Sequence, residues 1–95
     1  MGRYAEHIYT DRQDIQRLED LITQLPSEAE VELTLTDGHR LCGTVAERPA
    51  LQLYRDAQEN EGNHGVLRLD DAQDPSKTHT VWLDRIQQVR RRGSA

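Results

Sequence analysis

Large apolar side chains are scarce in this 95-residue sequence, which contains no phenylalanine and only 4% aromatic residues. Hydrophobic residues of all kinds make up 35% of the chain. A chain of this length buries only about 60–65% of the surface that its unfolded form exposes. We therefore expect one domain over residues 1–95, with each large apolar side chain either in a small core or at a contact with another subunit.

Cysteine and long apolar runs are also scarce. Cys42 is the only cysteine, which excludes a disulfide within the chain. It lies in a strand-like segment, where we expect a small buried residue. No apolar run approaches the roughly 18 residues of a membrane-spanning helix, and the N-terminal residues lack the apolar stretch of a secretory signal. These observations predict a cytoplasmic protein with no membrane partner.

Basic residues are outnumbered, and the formal net charge is -5. Proteins that bind nucleic acid usually carry a basic surplus, because phosphate contacts dominate their affinity. In this chain only a local basic patch could bind nucleic acid. The one basic run is Arg90, Arg91 and Arg92. Three phosphate contacts predict a slope of about -2 for log K against log salt on single strands, which is weak binding. The alternative and favoured role of the run is to protect an edge strand and pair with nearby acids.

The segment TDRQDIQRLEDLITQLP predicts a helix over about residues 10–25. Thr10 is the expected N-cap, with Gln13 completing a capping box, and Pro26 ends the helix. Five apolar residues recur at spacings of three and four and form one stripe: Ile15, Leu18, Leu21, Ile22 and Leu25.

After this helix the apolar period changes to two. Val31, Leu33 and Leu35 alternate with polar residues, which predicts a half-buried strand. The Asp-Gly pair that ends at Gly38 predicts a tight hairpin turn, since glycine accepts a positive φ. Gly43 lies inside the returning strand, where glycine marks a bend, a bulge or a close backbone approach.

Polar loops are predicted at residues 56–65 and 70–77, and strands lie between them. Further strands are expected at LQLYR (51–55), VLRL (66–69), THTVWL (78–83) and a short last strand that carries Val89. One helix followed by five to six short strands over about residues 29–92 predicts a small antiparallel barrel or rolled sheet.

The stretch LTDGHRLCGTV resembles the first sequence motif of Sm-like proteins. The matching positions are Leu35, Gly38, Gly43 and Val45. The ending VWLDRIQQVRRRG resembles the closing strand, short turn and last strand of the same family. More narrowly, nearly the whole chain resembles a small xanthomonad family described as an Sm-like variant. The resemblance implies a mainly β fold with an N-terminal helix and an Sm-like or SH3-like barrel of bent strands, without implying an activity.

The sequence departs from the Sm-like proteins that bind uridine-rich RNA. Those proteins carry an Asp and an Asn just after the second strand, whereas the corresponding segment here is AERPALQL. The Lys-His pair of the bacterial RNA chaperones of this class is also missing. Arg48 lies where the resemblance places an RNA-binding loop. The usual base pocket and the six- or seven-membered ring are therefore not expected.

Residues that could carry chemistry are few. A zinc site usually needs a close pair of ligands, and no two histidines are three to five residues apart. We expect surface or turn positions for all four: His7, His39, His64 and His79. Carboxylates could bind a hard cation in one loop, although solvated side chains are favoured there: Asp70, Asp71 and Asp74. No catalytic residue, metal, cofactor or small-molecule ligand is predicted.

Two functions follow as hypotheses, and neither is enzymatic. The first is an interaction or structural module, expected as a homodimer rather than a ring, because the thin core and free strand edges leave surface for a partner. The second is binding of RNA or single-stranded nucleic acid through four residues: Arg48, Arg90, Arg91 and Arg92. Gly38 and Gly43 are assigned structural roles.

Overall fold

The computed structural model describes residues 3–92, which form one α-helix and eight strands. The helix α1 (Arg12–Thr23) follows a short first strand, and a 3-10 turn (Leu83–Arg85) precedes the last strand. The predicted mainly β fold with one N-terminal helix is confirmed. The strands are β1 (Arg3–Tyr4), β2 (Glu30–Leu35), β3 (Arg40–Glu47), β4 (Gln52–Arg55), β5 (Glu61–His64), β6 (Val66–Asp71), β7 (Thr78–Trp82) and β8 (Ile86–Arg91).

The strands form two sheets. The larger sheet has five antiparallel strands in the order β7-β6-β3-β2-β8. The smaller sheet has three strands in the order β1-β4-β5, in which β1 runs parallel to β4. The sequence predicted five to six strands in one barrel. The structure instead divides eight strands between two sheets, and within residues 3–92 no ladder joins β7 to β8.

The β2–β3 hairpin is the centre of the larger sheet, since β3 pairs with both β2 and β6. Gly38 in its turn has a φ of 92°, a conformation that costs glycine little. A Cβ atom on Gly43 would lie 2.1 Å from the carbonyl oxygen of Asp70. Only glycine therefore allows β6 to approach β3 this closely. The register of β3 against β6 also shifts between Val45 and Glu47, where the strand departs from regular pairing.

The core lies on one face of the larger sheet, where the period-two side chains pack against the apolar stripe of the helix. Its members are almost all aliphatic, because the chain has few aromatic residues. The buried cluster is Leu18, Ile22, Leu25, Ala29, Val31, Leu33, Val45, Leu67, Leu69, Val81, Leu83 and Ile86.

The helix is shorter than the predicted span of 10–25. Its N-cap is Asp11 rather than Thr10, and the Asp11 side chain makes no capping hydrogen bond, so the predicted capping box is wrong. At the other end, the backbone N–H of Gln24 donates to the carbonyl oxygen of Leu21 at 2.9 Å. Within residues 3–92, no helix has the length and apolar character needed to cross a membrane.

The smaller sheet contains a strand within a segment that the sequence pattern predicts to be a loop. Residues 56–65 were predicted to be a polar connection, but Glu61–His64 forms β5 and pairs with β4. The turn between these strands is closed by Asp56, whose Oδ1 accepts the backbone N–H groups of Gln58 and Asn60 at 3.0 and 2.9 Å. Side-chain capping of a turn of this kind needs no apolar pattern, which is why periodicity missed it.

The N-terminal arm completes the smaller sheet. Arg3 and Tyr4 align with β4, and the backbone of Tyr9 exchanges hydrogen bonds with that of Asn63 at 2.9 and 2.7 Å. The outer face of this sheet stays open, since Tyr4 and Leu53 are each 62% exposed. Of the two positions expected for large apolar side chains, the core or a contact with another subunit, these two residues do not occupy the core.

Candidate functional site

Two of the predicted nucleic-acid contacts lie on β8, an edge strand of the larger sheet. Arg90 is aligned with Glu32 of β2, and its Nη1 atom lies 3.7 Å from the Glu32 Oε1 atom. Arg91 and Arg92 are exposed, and neither forms an ion pair with a described residue. One arginine of the run thus pairs with an acid, while the other two face solvent.

The fourth predicted contact, Arg48, follows directly after β3. Its backbone N–H donates to Ser27 Oγ at 2.9 Å, and the backbone N–H of Arg92 donates to the carbonyl oxygen of Glu30 at 2.8 Å. The stretch from Ser27 to Glu30, which ends at the first residue of β2, therefore contacts the backbone of both arginines. Arg48 and Arg92 are thus bonded at opposite ends of this stretch.

A second group of arginines was not anticipated. Arg3, Arg48 and Arg68 line one cavity of about 360 Å³ between the two sheets, which we term the arginine groove. The Arg3 guanidinium donates to the Gln52 side chain. Glu47 is the only carboxylate in the lining. The three arginines come from β1, the end of β3 and β6, so no local sequence signal could have grouped them.

Within residues 3–92, His64 is the one polar residue that is buried, with 1% of its surface exposed. The Oδ2 atom of Asp84 accepts a hydrogen bond from the Tyr9 hydroxyl at 2.8 Å and lies 3.3 Å from His64 Nε2. The other ring nitrogen, Nδ1, accepts the backbone N–H of Gly65 at 2.9 Å. Because Nδ1 accepts, the proton of the neutral ring is on Nε2, directed at Asp84. We term Tyr9, His64 and Asp84 the buried histidine network.

Burial sets the proton affinities of this network. Desolvation raises the pKa of Tyr9 to about 12, and the hydrogen bond to Asp84 adds to the effect. Desolvation also lowers the pKa of His64, although the Asp84 carboxylate opposes that shift. Protonation of His64 would occupy Nδ1 and break its bond from Gly65, which also favours the neutral form.

Three of the four aromatic residues of the chain surround the His64 ring. Tyr9 contacts it edge-on at a centroid distance of 5.3 Å, Trp82 lies at 4.8 Å and Tyr54 at 6.3 Å. Tyr54 and Trp82 also contact each other edge-on at 5.3 Å. These side chains come from both sheets and the N-terminal arm. The cluster therefore stabilises the packing of the smaller sheet against the larger one.

A cavity of about 420 Å³ opens beside this network, between the helix and the 3-10 turn, and its lining includes Tyr9 and Asp84. His64 does not line it, and both of its ring nitrogens are engaged. The imidazole is therefore not placed to exchange a proton with a molecule in this cavity. The arrangement is suited to holding elements together rather than to acid–base chemistry.

The remaining histidines and the acidic loop have local roles. The predicted surface position is wrong for His64, whereas His7 and His39 are exposed. His79 Nε2 lies 2.8 Å from the Asp71 Oδ1 atom, and this contact, together with two backbone N–H donors, lowers the pKa of Asp71. The Oδ1 atom of Asp74 accepts a hydrogen bond from the Ser76 hydroxyl at 2.6 Å. In the part of the chain that the structure describes, no three His, Cys, Asp or Glu side chains are grouped to hold a metal ion.

Cys42 is less buried than the sequence predicts. It lies in β3 opposite Glu32, with Sγ 3.9 Å from the Glu32 Oε2 atom. The side chain is half-buried rather than buried, because it points to the face of the sheet opposite the core.

Comparison with known proteins places this architecture in a family. A family model described as a domain of unknown function, DUF3247, matches residues 2–92. The chain belongs to the DUF3247 family. Its structure is similar to that of XC5848 from Xanthomonas campestris, a crystal structure described as a novel variant of the Sm-like motif. The two are 41% identical with a TM-score of 0.88, over 95% of this chain and 97% of that one. The predicted resemblance to an Sm-like variant is confirmed. None of the curated proteins matches the chain significantly.

The two edges of the larger sheet of this DUF3247 protein differ in charge. β8 carries Arg90 and Arg91, whereas β7, Thr78–Trp82, contains no Asp, Glu, Lys, Arg or Pro. Edge strands usually carry charge or proline that discourages pairing with another chain. By that criterion β8 is protected and β7 is open.

Proposed function

We propose that this DUF3247 protein is a cytoplasmic interaction module without catalytic activity, which works as a homodimer joined through the free edge of β7. The observation that carries the proposal is an uncharged edge strand in a chain of which 31% of the residues are charged. An edge of this kind presents unpaired N–H and C=O groups, and a second copy of the chain can satisfy them.

Two-fold pairing suits the side chains of β7. Antiparallel pairing about Thr80 sets the two Thr80 residues opposite each other and each Thr78 opposite the partner's Trp82. No like charges meet in this arrangement, and threonine pairs are favourable cross-strand neighbours. Pairing of β7 with the partner's β8 would instead build a ring or a filament. That arrangement is less favoured, because β7 offers no acid to complement Arg90 and Arg91.

Light scattering after size exclusion tests the interface. We expect a mass of twice 10.9 kDa for the unaltered chain. Thr80→Lys sets two ammonium groups against each other at the two-fold axis and should give the mass of one chain. Gln88→Lys adds the same side chain to an exposed position on β8 and should leave the dimer intact.

Each other outcome contradicts the proposed interface in a distinct way. If both variants dissociate the assembly, β7 pairs with β8 and the two-fold model is wrong. If neither does, the interface lies elsewhere. A single-chain mass for the unaltered protein at tens of micromolar would remove the homodimer altogether.

The second candidate function is weak binding of RNA or single-stranded nucleic acid. The exposure of Arg91 and Arg92, and the contact of Arg48 and Arg92 with one short segment, support it. The net charge of -5 argues for the first function over this one, since the rest of the surface repels phosphate.

Titration of a fluorescent oligouridine at about 50 mM salt tests this second candidate, because phosphate contacts are strongest at low salt. We expect joint replacement of Arg90, Arg91 and Arg92 by alanine to abolish binding. Joint replacement of Arg12, Arg17 and Arg40 removes the same charge from other exposed positions and should have little effect. Equal loss in both variants would show that any binding reflects overall charge rather than the last strand.

A further inference from the structure

The arginine groove is unusual because cations converge in a chain with an acidic surplus. The protein has 17 acidic residues against 12 basic ones. Even so, within residues 3–92, Arg3, Arg48 and Arg68 form no ion pair at 4.0 Å or less. Glu47 is aligned with Arg68 across the β3–β6 ladder but does not pair with it at that distance. Three guanidinium groups and one carboxylate thus leave the groove with a local surplus of positive charge.

The fold brings these side chains together through two ladders. Arg3 is aligned with Tyr54 on β4, so both lie on the side of the smaller sheet that faces the larger one. Arg68 comes from β6, and Arg48 follows the end of β3. The groove is therefore bounded by both sheets, and it would not exist without the strands β1 and β4.

We propose that the arginine groove binds a phosphomonoester, whose phosphate is held by Arg3, Arg48 and Arg68. Guanidinium groups are planar forks that match phosphate oxygens with paired hydrogen bonds. A phosphomonoester carries a charge of about -1.5 to -2 at neutral pH, which matches the surplus left after Glu47. A phosphodiester carries only one negative charge and matches it less well.

The rest of the lining fits the organic part of such a ligand. The volume of about 360 Å³ is at the lower end of the roughly 300–1,000 Å³ range of small-molecule sites. Gln52 accepts from Arg3 through its side-chain oxygen, which leaves its NH₂ group free to donate. Pro49, Ala50 and Val66 supply an apolar wall. This inference extends beyond the homodimer and does not depend on it.

Calorimetric titration with AMP, cyclic AMP and adenosine distinguishes binding of a phosphomonoester from binding of a phosphodiester or of the nucleoside alone. The three share a base and sugar but present a monoester, a diester and no phosphate. At about 50 mM salt we expect AMP to bind, cyclic AMP to bind several-fold more weakly and adenosine not to bind. Equal affinity for AMP and cyclic AMP, or for oligouridine, would make this a phosphodiester site and overturn the proposal. Absence of AMP binding would also overturn it.

Variants assign the binding to the groove. Arg68→Gln and Arg48→Gln should each weaken AMP binding about tenfold, whereas Arg40→Gln, an exposed strand position outside the groove, should not. Glu47→Gln removes the only carboxylate of the lining and should tighten binding several-fold, which loss of folding cannot imitate. Unchanged affinity in either groove arginine variant, or weaker binding in Glu47→Gln, contradicts the assignment. Light scattering on the same samples shows whether the homodimer is present, so the two proposals fail separately.

Discussion

The two sheets of this protein are held together by different kinds of interaction. The larger sheet depends on alternating aliphatic residues that pack against the helix, and these make up its buried cluster. The smaller sheet contributes only Tyr54 and His64 as buried large side chains and leaves Leu53 exposed. It is attached through hydrogen bonds to Asp84 and edge-on aromatic contacts. Aliphatic burial thus stabilises the first sheet, and a polar network positions the second.

This difference in stabilisation predicts a difference in sensitivity to substitution. Removal of aliphatic volume should damage the larger sheet most, since the cost of an internal cavity adds to the lost burial. The smaller sheet should instead respond to loss of single hydrogen bonds and to pH. Each of these expectations can be tested with matched residues from the two sheets.

Leucine truncation gives the largest expected contrast. Leu33 on β2 is fully buried, whereas Leu53 on β4 is 62% exposed. Leu33→Ala should lower the free energy of unfolding by about 2–5 kcal/mol in urea titrations. Leu53→Ala should change it by no more than about 0.5 kcal/mol. A large loss for Leu53→Ala would mean that this side chain packs against a partner, and the comparison between the sheets would no longer hold.

Glycine substitution gives the next largest contrast. A Cβ on Gly43 would meet the backbone oxygen of Asp70 at 2.1 Å, whereas one on Gly62 of β5 would meet the Ile8 side chain at 2.8 Å. Backbone cannot rotate away, so Gly43→Ala should cost about 3 kcal/mol of unfolding free energy. Gly62→Ala should cost clearly less, because its overlap with the Ile8 Cβ atom is smaller and Ile8 lies outside the strands, where the N-terminal arm can shift. Equal losses in urea titrations would contradict a rigid larger sheet.

The same contrast explains what sequence could predict. Period-two alternation at Val31, Leu33 and Leu35 and the Asp-Gly turn indicated the central hairpin, because these signals are local and aliphatic. In the smaller sheet, β4 lies within a predicted strand, but β5, Glu61–His64, was not predicted because it has no aliphatic residue. Its strand is defined by pairing with β4 and by the buried His64, and both depend on residues distant in sequence.

The candidate sites were predictable to a smaller extent. Composition identified Arg90, Arg91 and Arg92, since these form a run. No local sequence pattern links Arg3 with Arg68. The two residues line one cavity only because β1 and β4 fold beside β6. Histidine burial was missed for the same reason, as the ring of His64 is enclosed by side chains from four separate segments.

Loss of one hydroxyl tests the network that attaches the smaller sheet. Tyr9→Phe removes the 2.8 Å hydrogen bond to Asp84 but keeps the ring that packs on His64. We expect a loss of about 1 kcal/mol in the free energy of unfolding, because Asp84 keeps its contact with His64. Tyr4→Phe, at a 62% exposed position on the outer face of the same sheet, serves as the control and should have almost no effect. A loss well above about 1 kcal/mol in Tyr9→Phe would show that the hydroxyl supports more than one hydrogen bond.

The smallest expected effect is a dependence of stability on pH through His64. Its folded pKa is lowered by burial, while the unfolded pKa is about 6.5, so protons bind preferentially to the unfolded chain as the pH falls below that value. The contribution of His64 to stability is therefore complete above the unfolded pKa and decreases as the pH falls towards the folded pKa. Urea titrations between pH 7.5 and 5 should show a smaller decline in His64→Gln than in the unaltered protein. His7→Gln, at an exposed position, is the control. A steeper decline in His64→Gln would mean that the Asp84 carboxylate outweighs burial, and the neutral histidine would then be the wrong description of the contact between the sheets.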